Sequence, residues 1–227
     1  MHHGNRTGRA THGLPPAQRE RVMYKGERFN SISALVGAAL ALAGAALLVV
    51  LAARQGDPWK FVSFAVYGTS LLLLFLFSTL YHSLRGKAKT VFRKLDHNAI
   101  YFLIAGTYTP FTLVTLRGRW GWSLFIAIWA LAILGVVLDS LPRKGPRVVP
   151  LIIYLVMGWL GLLALQPLLQ TLPLAAIVLL LAGGLFFTTG IVFYALTHKV
   201  RHAHGIWHLF VLGGAFTHYL AVLVYVA

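Results

Sequence analysis

Three histidines stand at spacings that suit a single metal ion. His204 and His208, in the segment HAHGIWH, are four residues apart. On a helix this puts both on one face, about 6 Å apart along the axis. Both can then reach one ion at roughly 2.0–2.1 Å, and His82 from another helix can supply a third nitrogen. Three His with an open fourth position is the donor set of a catalytic zinc, which lowers the pKa of its bound water to about 7. Asp96 can accept a proton from that water or hold it in place. Ser78, four residues before His82 and one turn deeper, can hydrogen-bond a ligand, the water or Asp96. The chain has no cysteine, so disulfides and thiolate sites are excluded and any metal would be held by His, Asp or Glu.

Each residue taken alone has a plainer reading. A single H-x3-H at a helix start is weak evidence for a metal, and His82 fits an interfacial histidine near headgroups. Asp96 fits an N-cap or first-turn acid favoured by the helix dipole. His198 and His202 read as solvated loop residues, and His218 as a packing or interfacial residue near the outer leaflet. What lifts the set above these readings is the depth at which the surrounding elements place it.

Those elements are transmembrane helices. The 227 residues are 58% hydrophobic and 11% charged, against roughly 25% charged in an ordinary soluble domain. Too few polar residues exist to cover a soluble core. A span needs about 20 apolar residues, and seven segments qualify: Ile32–Ala53, Trp59–Ser83, Asp96–Leu116, Trp120–Ser140, Val148–Gln166, Leu172–Leu196 and His204–Ala227. Trp59, Trp120 and Trp122 fall at span ends, where amphipathic rings favour the interface. Pro58, Pro150 and Pro173 stand near helix starts, where a missing N–H matters little. Small residues (Gly37, Ala38, Ala41 and Gly44, then Gly183–Gly184 and Gly213–Gly214) mark close helix–helix approach. The expected fold is all-α: a basic, disordered tail over residues 1–30 and a seven-helix bundle over 31–227. The opening stretch lacks the apolar core of a cleavable signal peptide.

The net charge of +15 would suggest nucleic acid in a soluble protein. Here Lys and Arg sit in short segments between apolar runs, and loop cations set membrane orientation. Sixteen fall on one side: the tail, Arg85–Lys94, Arg143–Arg147, and Lys199 with Arg201. Four (Arg54, Lys60, Arg117 and Arg119) fall on the other. The N-terminus is therefore expected in the cytoplasm, with the chain multi-pass in the inner cell membrane and no nucleic-acid partner. Ser78, His82, Asp96, His204 and His208 then lie at the cytoplasmic ends of the second, third and seventh spans. Ionisable groups at such depth are functional candidates.

Three segments carry a family resemblance: FSTLYHSL, KLDHNAIYFLIAGTYTPF and HAHGIWHLFVLGGAFTHY. They closely resemble the bacterial hemolysin III proteins, relatives of the progestin and adipoQ receptors within a larger group of metal-dependent membrane hydrolases. GERFNSISALVG, with Glu27 and Asn30, is similar to the family's first-helix motif. Many bacterial members carry His where this chain has Ala34. The resemblance implies seven helices and a cytoplasm-facing zinc on His82, His204 and His208. It places Asp96 and Ser78 at the positions that hold the metal-bound water. It also implies hydrolysis of a lipid amide or ester and a part in membrane-lipid homeostasis. Nothing in the sequence reads as a soluble toxin with an amphipathic insertion segment.

Other functions compete with the hydrolase. A non-catalytic sensor of membrane state with structural zinc would fill the fourth position, for instance with Asp96. A transporter would need a continuous water path. A retinal protein needs a Lys in the last helix, and His204–Ala227 contains none. A haem protein could use His204 and His218 but lacks a matching pair on a partner helix. Membrane lipids are the expected partners. Oligomeric state leaves no mark on the sequence.

Overall fold

The computed structural model describes residues 27–141, 147–197, 199–200 and 202–227. The tail up to residue 26, and with it Arg143, Lys144, His198 and Arg201, lies outside the described residues.

The described residues form an all-α bundle of seven rods. They are α1 (Glu27–Gln55), α2 (Pro58–Ser83), α3 (Gly86–Pro110), α4 (Arg119–Ser140), α5 (Val148–Trp159), α6 (Leu165–Thr171), α7 (Leu174–Ala195) and α8 (Ala203–Tyr225). A short 3-10 stretch, Leu160–Ala164, joins α5 to α6 as one rod. Six rods are long and apolar enough to cross a membrane by length and composition. The rod that is not, α3, opens with Lys87, Lys89, Arg93 and Lys94. It gains apolar length from a π-helical continuation over Phe111–Thr115.

Two expected boundaries move. Residues 27–30, assigned to the tail, are the first turn of α1. The third helix begins at Gly86, ten residues before Asp96, or about 15 Å of helix at 1.5 Å per residue. Asp96 is therefore not a first-turn acid, and its dipole reading falls. The charged run that looked like loop is helix, because backbone hydrogen bonds continue beyond the apolar slab.

Local chemistry explains the ends. Gly56, at φ +68°, turns the chain after α1, a backbone region open to glycine without strain. Asp57 then caps α2, accepting from the Trp59 N–H at 2.8 Å and the Lys60 N–H at 3.3 Å, with Pro58 in the first turn. Burial pushes the Asp57 carboxyl up, but those N–H groups and the Arg117 guanidinium outweigh it and hold it below the usual value. The third rod changes pitch at Pro110, which has no N–H to continue the ladder. Leu116 N–H then reaches back five residues to the Phe111 carbonyl at 2.8 Å, the spacing of a π turn.

The small residues do what their placement suggested. Ser31, Ala34, Ala38, Ala41, Leu48 and Ala52 form the buried stripe of α1, whose other faces are exposed. Gly37 lies under the Phe75 ring, and Gly68 against Ala45. Gly183 faces Thr217 and His218, and Gly214 faces Phe187. With no hydrophobic drive between helices in lipid, such close approach gains van der Waals contact. α8 packs on both α7 and α1, which brings the last rod beside the first two.

The polar groups sort to two ends. Trp59 and Trp122 meet edge to face at 6.0 Å, and Arg117 pairs with Asp57 at 3.4 Å, all at one end. Glu27, His82, Lys89, His97, Asp139 and Arg147 gather at the other.

Candidate metal centre

The last turn of α2 and the first turns of α8 meet at that second end. His82 closes α2, with Ser78 one turn deeper on the same face, and both are buried. His204 and His208 open α8, the first half-buried and the second buried. One turn of helix separates them, and the three imidazoles form a near-equilateral triangle. Ring centroids lie 5.1 Å apart for His82 and His204, 5.0 Å for His82 and His208, and 5.0 Å for His204 and His208. One nitrogen from each lies within 4.8 Å of the others.

The donor set fits a metal ion. Nε2 of His82 and Nε2 of His208 are buried without a hydrogen-bond partner. An unsatisfied buried polar atom costs about 1–3 kcal/mol, so two converging on one point call for a shared partner. Nitrogens bound to one ion at roughly 2.0–2.1 Å stand at most about 4.2 Å apart. Closing from 4.8 Å needs sub-ångström movement.

His82 is oriented by a residue on another helix. Its Nδ1 lies 2.5 Å from Glu27 Oε2, in the first turn of α1. A carboxylate only accepts, so Nδ1 carries the ring proton and Nε2 keeps its lone pair. This is the carboxylate–histidine arrangement that fixes the tautomer and raises the basicity of a metal ligand. Glu27 is held in turn by Lys89, whose Nζ donates to Oε1 at 3.1 Å and to the Tyr81 carbonyl at 3.2 Å. Asn30, the other motif residue of the first helix, has its side-chain oxygen beside Gly205. Phe29 and Asn30 lie so close that a methyl at Gly205 would meet both. The Gly in HAHGIWH is what lets α1 approach the histidine turn.

Asp96 and Ser78 come together as their depth suggested. Ser78 and Asp96 both line a cavity of about 40 Å³ that His204 and His208 share. One water needs about 10–15 Å³ of such space, so the cavity has room for an ion with water beside it. Among the described residues, the group within 4.8 Å comprises the three histidines without Asp96, which lines a cavity with His204 and His208.

His97 lines the same cavity. Arg147 donates from Nη1 to His97 Nδ1 at 2.7 Å and also pairs with Asp139. Tyr154 donates to the His97 carbonyl at 3.0 Å. This cluster ties α3, α4 and α5 together beside Asp96. Neither it nor the Glu27 tether was found from sequence. Their signal was scarcity: the chain has five acidic residues, and buried charges are retained where they are paired. His202 is exposed, as expected, and takes a left-handed backbone at φ 64° before α8. His218, expected as a packing or interfacial residue, packs between α7 and α8.

Helical rods crossing a membrane, with a buried three-His group that could hold a metal ion at one end, define a polytopic membrane protein with a candidate metal centre. The chain belongs to the Haemolysin-III related family, which it matches over residues 22–219. It is 44% identical to hemolysin-3 of Bacillus cereus over 203 residues, covering 89% of this chain and 92% of the relative. It is 42% identical to the hemolysin-3 homolog of Bacillus subtilis (strain 168) over 202 residues, 88% and 94% of the two chains. Similarity extends to the monocyte to macrophage differentiation factor of Homo sapiens, 34% identical over 191 residues, 82% and 78%.

Proposed function

We propose that this protein is a zinc-dependent hydrolase of a lipid amide or ester bond, acting at the cytoplasmic leaflet of the cell membrane in lipid homeostasis. The observation that carries the reading is the union of three converging histidine nitrogens with a cavity holding Asp96 and Ser78. Two apolar cavities continue from it. One of about 80 Å³ shares Leu74, Ile100, Trp207 and Val211 with the site, and the next, of about 100 Å³, shares Thr107, Tyr108 and His218 with the first. Such a series suits an acyl chain whose polar end is at the histidines.

Zinc held by His82, His204 and His208 would polarise a carbonyl and lower the pKa of a bound water to about 7. The chain's own groups do the rest. Glu27 keeps Nε2 of His82 available as a donor atom. Asp96 takes a proton from the attacking water at a carboxylate oxygen and returns it to the leaving amine or alkoxide. Ser78, on the wall of the same cavity, supplies a hydroxyl that can donate to that carboxylate. The cytoplasmic placement rests on the Lys and Arg of the histidine end.

Asp96→Asn tests the assignment, because it is nearly isosteric and removes only charge and basicity. With Asp96 as general base, the variant retains zinc near one per chain and loses lipid-amide or lipid-ester hydrolysis by roughly 10²–10⁴-fold. Loss of zinc together with activity would make Asp96 a direct ligand. The site would then be closed, and the protein a non-catalytic regulator with structural zinc.

A further inference from the structure

His218 is a half-buried titratable residue that the three-His site does not use. Ten residues beyond His208 on α8, it lines both apolar cavities. Its Nε2 lies 3.0 Å from the Leu180 carbonyl and donates to it. A neutral imidazole has one ring proton, so Nδ1 is left as an acceptor, and Nδ1 is buried with no hydrogen-bond partner. The ring is fixed in place by the backbone of Gly183 beneath it and by Phe187 at 5.6 Å.

The other polar groups of these walls are committed. Tyr108 donates its hydroxyl to the Met157 and Gly158 carbonyls and accepts from the Gly161 N–H. Thr107 donates to the Leu103 carbonyl, and Trp159 Nε1 donates to Thr188 Oγ1. A buried water needs two to four polar partners to stay, and these walls leave it few beyond His218. An acceptor in an otherwise apolar cavity selects a ligand that brings one donor.

We propose that His218 is a second recognition point for the lipid, accepting a hydrogen bond from a hydroxyl or amide N–H carried partway along the chain. This rests on the lipid reading of the three-His site for the direction in which the chain lies. Ten residues of helix rise about 15 Å, roughly the length of a dozen extended methylenes at about 1.25 Å each. The ligand class is therefore a long-chain lipid with a donor near its twelfth carbon.

The test is competition against a fluorescent fatty acid on the zinc-loaded, detergent-purified protein, with 12-hydroxystearate, its O-methyl ether and stearate as probes. The hydroxy acid should bind about tenfold more tightly than stearate, as expected when a buried acceptor gains its only partner. The ether keeps the oxygen without the donor and should bind no better than stearate. His218→Leu should abolish the preference for the hydroxy acid over stearate while leaving zinc content unchanged. Equal binding of all three probes, binding of none, or a preference that survives His218→Leu would overturn the proposal. The wild-type comparison with the ether needs no variant to fold. A protein that binds in this pattern yet hydrolyses nothing would contradict the hydrolase reading alone, and turnover without the preference would contradict this proposal alone.

Discussion

His82 has two ring nitrogens, and the fold gives each a separate task. Nδ1 donates to Glu27 at 2.5 Å, and Nε2 faces the point where His204 and His208 converge. Removing the charge of Glu27 while keeping its shape should weaken the metal site without destroying it. Glu27→Gln is expected to lower zinc affinity by roughly 10–100-fold, the usual effect of losing a carboxylate behind a ligating histidine. Lys89→Met should do less, since it loosens only the far oxygen of Glu27. Titration with a competing chelator measures both. Unchanged affinity in Glu27→Gln would remove Glu27 from the site. The histidines themselves were legible in the sequence because H-x3-H and S-x3-H fix their own geometry on a helix. Glu27 was legible only as a motif letter, because its partner lies 55 residues away and no spacing rule connects α1 to α2.

At the scale of the helices, the approach of α1 to α8 decides whether the histidine turn is held. Gly205 is the contact point, with Phe29 packed over it. Gly205→Ala forces that ring aside, and overpacking of this kind costs about 1–3 kcal/mol. The expected result is a lower thermal midpoint together with weaker zinc binding. Gly213→Ala serves as the control, since its nearest neighbour is a Phe186 ring atom at 3.2 Å, the end of a side chain that can shift. Equal loss in both variants would indicate general packing damage rather than a specific junction. The spans themselves were readable because about 20 apolar residues in a row have few other uses. The start of α3 was not. Hydropathy reports where lipid ends, whereas the helix continues through Lys87–Lys94 with its hydrogen bonds intact. The π turn after Pro110 was hidden for a related reason: proline signals a break without saying how the chain repairs it.

For the whole molecule, the two ends should face different compartments. Cysteine introduced at Lys87 should be protected from a membrane-impermeant thiol reagent in intact cells, and cysteine at Arg117 should be labelled. The reverse pattern would place the histidine site outside. Metal also links the site to global stability, because a ligand bound only to the folded state raises its midpoint. Zinc needs neutral imidazoles, so protons compete with the metal as the pH falls. The midpoint should therefore drop on acidification in zinc-loaded protein, and chelated protein should start lower and change less. The most direct test of the metal centre is the zinc content of purified wild type beside His82→Ala, His204→Ala and His208→Ala. The expected result is close to one zinc per chain in the wild type and most of it lost in each variant. Full zinc in all three variants, or none in a wild type supplied with the metal, would contradict the three-histidine site.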